Sequence, residues 1–469
     1  MTRLFLTILT FGALMSSQAF AFCGFYVSKA DTKLFNKASK VVLARADDRT
    51  VITMANDFQG DAKDFAIVVP VPSVITKSQV NVAENRIIDH LDAYTAPRLV
   101  EYFDSNPCQQ MHMEMMMRAA TLSDGGANES VMGLAKRAKS LGVTIEEEYT
   151  VGEYDIVVLS AKQSDGLLTF LNQEGYKLPE GAEKVLGSYI KQDMKFFLAK
   201  VNLDAFEKSG FTYLRPLQVA YEHKKFMLPI RLGTLNASGP QDIILFTLTK
   251  KGRVEPSNYR TVKIPSNENV PLFVENEFGE FYKSMFDTAV EQEDMKAMFL
   301  EYAWDMGWCD PCAADPLANE DLKTLGVWWL NAPAAKQPGP VPLPGQPRIM
   351  PVPQGGQDVF VTRLHARYTA ETFPEDIALQ ETSDRENFQG RYVMQHPYTG
   401  VAECSGADDY YAQLPERFEK EAKYLANITG WDINDIRSKM QKNGQSFDMK
   451  AKKDPRPWWE RLWANGDDE

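Results

Sequence analysis

After an apolar run over residues 4–15, short β-rich stretches separated by turn signals predict strands at 40–46, 50–56 and 64–72. Asp47-Asp48 between the first two reads as a hairpin turn. A helical pattern follows across 81–103 and continues in the same style at 111–120 and 130–140. A strand at 153–159 precedes Ser164-Asp165, an N-cap for a helix reaching Asn172. The pattern then predicts a helix at 181–190, a strand at 196–203 and a β-rich block at 218–221, 227–232, 243–250 and 259–264. Phe278, Phe281, Tyr282, Met285, Phe286 and Ala289 recur at intervals of three and four, the spacing of an amphipathic helix. Residues 297–304 read as a strand leading to Cys309 and Cys312, and further strands at 358–368 and 390–396 precede helices at 416–427 and 433–441. Strands in runs with helices interleaved give an α+β fold class. No internal repeat of fixed period is visible.

Between residues 333 and 353, eight of 21 positions are proline, too many for a helix or a central strand. The stretch reads as an extended surface linker, or alternatively as a segment that docks in a protein partner's aromatic groove. With 44% hydrophobic and 11% aromatic residues, the chain can bury substantial cores. Its length exceeds what one core usually serves, so two or three subdomains are expected. They are an N-terminal α+β region over 22–205, a β-rich region over 206–332 ending in a helix and the Cys309/Cys312 loop, the linker at 333–353, and C-terminal strands and helices over 354–469.

Residues 1–21 read as a signal peptide: Arg3, the apolar run 4–15, a polar Ser16-Ser17-Gln18 segment, and Ala19-Phe20-Ala21 as the small-x-small site. Cleavage between Ala21 and Phe22 makes the protein exported, to the periplasm or the extracellular medium. The apolar run is too short to span a bilayer, which takes about 20 residues. A lipid anchor on Cys23 would need a small residue before it, and Phe22 is bulky. No second apolar run of spanning length occurs, so the mature chain is expected to be soluble and without a membrane anchor. Loss of Arg3 takes the formal charge from −13 to −14, a balance that repels nucleic acid and anionic lipid. Asn-x-Ser/Thr sequons at Asn128, Asn236 and Asn427 are short enough to arise by chance.

The sharpest chemical signal is Trp308-Cys309-Asp310-Pro311-Cys312, two cysteines at redox spacing. It looks like a thioredoxin active site, but Ala313-Ala314-Asp315-Pro316 breaks the helix that should follow. A structural disulfide is the preferred reading, and thiol–disulfide exchange the alternative. Cys23, Cys108, Cys309, Cys312 and Cys404 make an odd set with at most two bridges, so one thiol stays free or pairs between chains. If Cys309 and Cys312 join, one further pair comes from Cys23, Cys108 and Cys404. Met111, His112, Met113 and Met115, in a run ending at Met117, are soft ligands suited to Cu(I). Methionines on a helix are also adaptable core filler, which is the preferred reading. His365 and His396, on neighbouring expected strands, are too few for a metal site without further ligands. Ser188-Tyr189-Ile190-Lys191 matches Ser-x-x-Lys only as a short chance pattern, and phosphate-loop, dinucleotide, zinc-helix and nucleophile-elbow motifs are missing.

Four segments in order, Phe22-Cys23-Gly24-Phe25-Tyr26-Val27, Phe65-Ala66-Ile67-Val68-Val69-Pro70-Val71-Pro72, Trp308-Cys309-Asp310-Pro311-Cys312 and Val361-Thr362-Arg363-Leu364-His365-Ala366-Arg367-Tyr368, resemble the uncharacterised, exported bacterial domain-of-unknown-function family 2330. The resemblance spans most of the mature chain and implies a bacterial, exported protein. It brings no activity, substrate or cofactor.

The expected function is non-catalytic binding or scaffolding, with structural disulfides and no cofactor. Thiol–disulfide exchange at Cys309/Cys312 and Cu(I) binding by Met111, His112, Met113 and Met115 are the alternatives.

Overall fold

The structure, a computed structural model, describes residues 25–28, 35–59, 65–108, 143–173, 178–209, 214–235, 237, 239–308, 310, 315–331 and 357–450. The fold is α+β, with strands gathered into separate sheets and helices packed on their outer faces. Among the described residues, the smaller main sheet is antiparallel throughout. Its order is β1 (Phe25–Ser28), β4 (Phe65–Val71), β9 (Lys195–Val201), β8 (Tyr154–Ala161) and β7 (Val143–Val151).

The larger sheet grows from the hairpin of β2 (Phe35–Ala46) and β3 (Arg49–Gln59). At its turn Asp47 has φ 52°, a left-handed conformation that aspartate tolerates. β3 is followed by β10 (Leu217–Glu222) and β5 (Val80–Val82). On the other side of β2 come β12 (Gln241–Thr249), β16 (Phe360–Tyr368), β15 (Ala297–Asp305) and β14 (Arg260–Lys263), with β18 (Phe388–Gln389) also against β15. β12 runs parallel to β2 and antiparallel to β16. The proline-rich stretch 333–353 lies outside the described residues. The strands before it, β12 and β15, and the strand after it, β16, are neighbours, so a boundary there divides the chain but not this sheet.

The two main sheets pack face to face: Ile67, Val69 and Phe197 from one meet Val41, Leu43, Leu245 and Leu364 from the other in a shared core. Both faces of β2 and β12 are covered, which is why their apolar runs are nearly continuous rather than alternating. α2 (Ser164–Gln173) and α3 (Ala182–Ile190) cover the smaller sheet through Leu167, Leu171, Leu186 and Tyr189. On the far side of the larger sheet, α1 (Asn85–Thr95) places Ile87, Ile88, Leu91 and Tyr94 over Val42, Ala44 and Phe246, beside Leu322 of α7 (Asn319–Thr324). α6 (Phe278–Gln292) packs Phe286 and Ala289 over Phe299. An outermost layer, α8 (Ser405–Thr429) and α9 (Ile433–Lys442), rests on α6 and on a two-stranded parallel sheet of β6 (Arg98–Phe103) and β19 (Arg391–His396). A small sheet of β11 (Met227–Leu228), β17 (Ile377–Glu381) and β13 (Val254–Pro256), with short α4 (Leu203–Ser209) and α5 (Arg231–Thr234), completes the described fold.

Among the described residues three of the expected elements differ in extent, and the helices expected at 111–120 and 130–140 lie outside the described residues. The helix expected over 81–103 is only α1, because Pro97 forces Ala96 into an extended conformation with ψ 145°, and the chain continues as β6. The strand expected over 227–232 stops at Leu228, before Pro229 and the turn of α5. The helix expected from 416 starts at Ser405 and runs through Pro415, because Ala407, Tyr411 and Leu414 bury a face that outweighs the proline's lost backbone bond.

Candidate functional site

β16 carries two chemistries on its two faces. Leu364, Ala366 and Tyr368 enter the core between the sheets, while Arg363, His365 and Arg367 point the other way, toward α1 and α6. Each basic residue meets carboxylates. Arg363 donates through Nε to Glu301 Oε2 at 2.5 Å and through Nη1 to the Asp92 carboxylate, the Asp92 carbonyl at 3.1 Å and Thr95 Oγ1 at 3.3 Å. Arg367 holds Asp242 with two bonds of 2.8 and 2.9 Å and reaches Asp287 at 2.5 Å. His365 Nδ1 lies 2.8 Å from Glu301 Oε1, its Nε2 lies 4.0 Å from Asp242 Oδ1, and Lys40 closes the row on Asp92 at 2.7 Å and Asp89 at 3.1 Å.

Glu301 is at the centre and fully buried. The β15–β16 register shifts between Leu300 and Tyr302, so Glu301 is the extra residue of a bulge, the device that re-aims one side chain out of a regular ladder. Tyr282 of α6 donates its hydroxyl to the same Oε1. Burial alone would raise the Glu301 pKa, but the charge of Arg363 and the hydrogen bonds from His365 and Tyr282 outweigh it and hold the carboxyl at about 2. A carboxylate only accepts, so His365 Nδ1 carries the proton of that bond. Burial and the Glu301 charge push the Tyr282 hydroxyl far up, keeping it a donor. Against the burial of Asp92, Arg363 and Lys40 hold its carboxyl low. The charges of Glu301 and Asp92 are therefore neutralised by Arg363 and Lys40, with the His365–Glu301 pair oriented as a carboxylate orients an imidazole.

α6 has a second working edge. Tyr282, Phe286 and Asp287 face the ladder, whereas Met285, Thr288, Ala289 and Gln292 face α8 across an open cleft of about 370 Å³. Pro265, Ser266 and Glu268 form its floor, and Tyr424, Asn427 and Ile428 its opposite wall. Ser266 is engaged by backbone partners at Gln389 and Arg391. Burial and the neighbouring Glu268 push the Tyr424 hydroxyl up to about 12, so it is protonated at physiological pH.

The family model for an uncharacterized protein conserved in bacteria, DUF2330, matches residues 17–380. The chain belongs to this family. No curated protein and no solved structure matches it. The whole ladder from Lys40 to Arg367 lies inside the DUF2330 span, whereas α8, with one wall of the cleft, lies beyond it.

Outside the span, the inner face of α8 holds a second polar chain. Arg417 donates to Asp104 at 2.6 Å, and its Nε lies 3.6 Å from Glu421 Oε1. Gln445 donates to Glu421 Oε2 at 2.7 Å and accepts from the Leu272 amide at 2.9 Å. Glu421 is 2% exposed, and burial pushes its carboxyl up to about 7 despite Gln445 and Arg417. Beside this chain, Cys108 and Cys404 form a disulfide across 296 residues, with Cys404 as the N-cap of α8. This is one of the pairings the five cysteines left open.

Cys23, Cys309, Cys312, Met111, His112, Met113, Met115, Ala21 and Phe22 lie outside the described residues. Between the two cysteines Asp310 is anchored, accepting from Tyr302 at 3.0 Å and Gln389 at 2.9 Å, and Trp308 is 67% exposed. His365 and His396 do not meet: they lie in different sheets, His396 stacking on Phe103. Among the described residues no group of three metal-ligating side chains is present, and no helix is long and apolar enough to cross a membrane. Ser188 donates to the Val185 carbonyl at 2.6 Å within its own helix. The ladder itself was missed in the sequence, although Arg363, His365 and Arg367 at period two on an expected strand were its visible trace.

Proposed function

We propose that this family member is an exported, non-catalytic binding protein, acting in the periplasm or extracellular medium, that takes its ligand in the cleft between α6 and α8. The cleft carries the reading: two helices and a loop converge on a recess with polar side chains, in the size range of small-molecule sites. Ladder charges are engaged with one another rather than with an open cavity, which favours a positioning role: Tyr282 and Asp287 tie α6, one cleft wall, to the sheet. The Cys108–Cys404 bridge supports export, because such bridges persist in oxidising compartments, and the pattern of residues 1–21 supports it independently. Thiol–disulfide exchange at Cys309/Cys312 and Cu(I) capture near Met111 gain no observation from the described residues.

The test is a thermal-shift screen of the full mature protein against a metabolite library, repeated on Asn427→Arg. Compounds that raise Tm in the parent and not in the variant support the reading. Stabilisation that survives Asn427→Arg for every hit, or turnover of a library compound, overturns it.

A further inference from the structure

We infer that the ligand of the α6–α8 cleft is an uncharged, hydroxyl-rich molecule of the saccharide class; this rests on the cleft being the binding site. Thr288, Gln292, Tyr424, Asn427 and Glu268 line the cleft, Glu268, Gln292 and Asn427 at exposed positions and Glu268 close enough to act on the Tyr424 hydroxyl through its charge, so five polar groups converge there facing solvent. Four of the five both donate and accept: two hydroxyls and two carboxamides. A sugar hydroxyl has the same dual character, and a ring bearing several of them can satisfy such a lining from several directions.

Charge narrows the class further. No lysine or arginine lines the cleft, so a phosphate or carboxylate ligand would find no counter-charge and would face Glu268. One carboxylate with amides and hydroxyls is too little for a tightly held metal cation. An extended peptide is disfavoured because both walls are helices, whose backbone groups are engaged within the helix and offer no free strand edge. The half-buried ring of Tyr424 supplies the apolar surface on which the C–H face of a pyranose packs, with only the edges of Ala289 and Ile428, each 7% exposed, beside it. A volume of about 370 Å³ leaves room for a mono- or disaccharide.

Isothermal titration of the full mature protein with glucose, N-acetylglucosamine, maltose, cellobiose and chitobiose tests this, alongside glucose 6-phosphate, a tripeptide and Ca²⁺ as probes of other chemistries. At least one neutral sugar should bind, with the matching phosphorylated sugar at least tenfold weaker. Gln292→Ala, at an exposed position, should weaken binding at least tenfold, and Tyr424→Ala more than Tyr424→Phe, which keeps the ring. Unchanged melting of Gln292→Ala and Tyr424→Phe would show that these two losses are not unfolding. If the peptide, the phosphate or Ca²⁺ binds while the neutral sugars do not, and Asn427→Arg blocks that binding, the saccharide inference fails and the cleft stands. If nothing binds, or binding survives Asn427→Arg, both fail.

Discussion

The rings of Phe286 and His365 lie flat on one another, with centroids 3.8 Å apart and planes 5° from parallel. That contact seals the imidazole between α6 and the sheet while Nδ1 binds Glu301. Arg367 lies over the opposite partner of the stack, its guanidinium 5.3 Å from the Phe286 centroid. Charge, aromatic surface and helix position are thus fixed by one group of side chains.

Removing the central acid should be severe. Glu301→Gln leaves Arg363 buried with one partner fewer, and breaking a buried ion pair typically costs about 3–5 kcal/mol. Urea unfolding of the variant should show a midpoint shift of that size. A loss under about 1 kcal/mol would mean that Asp92 alone satisfies the guanidinium.

Tyr282→Phe keeps the ring and removes one donor to Glu301. A hydrogen bond to a charged group contributes about 2 kcal/mol, so thermal unfolding should report a loss near that value with the fold retained. No change in Tm would show that the hydroxyl is dispensable to the ladder.

Two buried glutamates should give opposite pH profiles. Glu301 is held at about 2, below the ordinary 4.5, so its contribution is full above that ordinary value and is lost as pH falls toward 2. Glu421 is held at about 7, so its contribution is full below 4.5 and is lost as pH rises toward 7. Either displacement corresponds to about 3 kcal/mol. Glu421→Gln should therefore match the parent near pH 4 and become more stable than it by up to about 3 kcal/mol at pH 8. Parallel stability curves from pH 4 to 8 would refute the assignment.

The bridge closes a span of 296 residues, and its loss should be measurable without any ligand. Cys404→Ala should cost about 2–4 kcal/mol, and reductant should bring the parent to the same urea midpoint. Equal midpoints with and without the bridge would show that the docking of α8 does not depend on it.

Much of the local architecture was legible because it follows from neighbours in sequence. The β2–β3 turn is announced by Asp47-Asp48 and α6 by its three-and-four spacing, while the helix expected at 433–441 is α9, whose Asp432 cap, accepting from the Asn434 and Asp435 amides, is a further local signal. The ladder was not legible, since its partners are remote: Glu301 is 62 residues from Arg363 and Asp92 is 271 away. Three basic residues at period two on one strand carry no mark of the α1 and α6 groups that cover them. Likewise, the choice of Cys404 for Cys108 depends on α8 lying beside the segment that follows β6, a relationship no spacing encodes.

The position of β16 also imposes an order on how the molecule can assemble. It lies between β12 and β15, so the larger sheet stays in two pieces until residue 368 has been synthesised. The chain then needs Cys404 before Cys108 acquires its native partner. Pairings this distant in sequence make folding slow, and they leave unpaired strand edges and a thiol open to wrong partners until late in synthesis. A nascent chain halted between β12 and β16 therefore presents β2, β3 and β12 as an incomplete sheet with an open edge on β12, a form that requires protection from aggregation until β16 arrives.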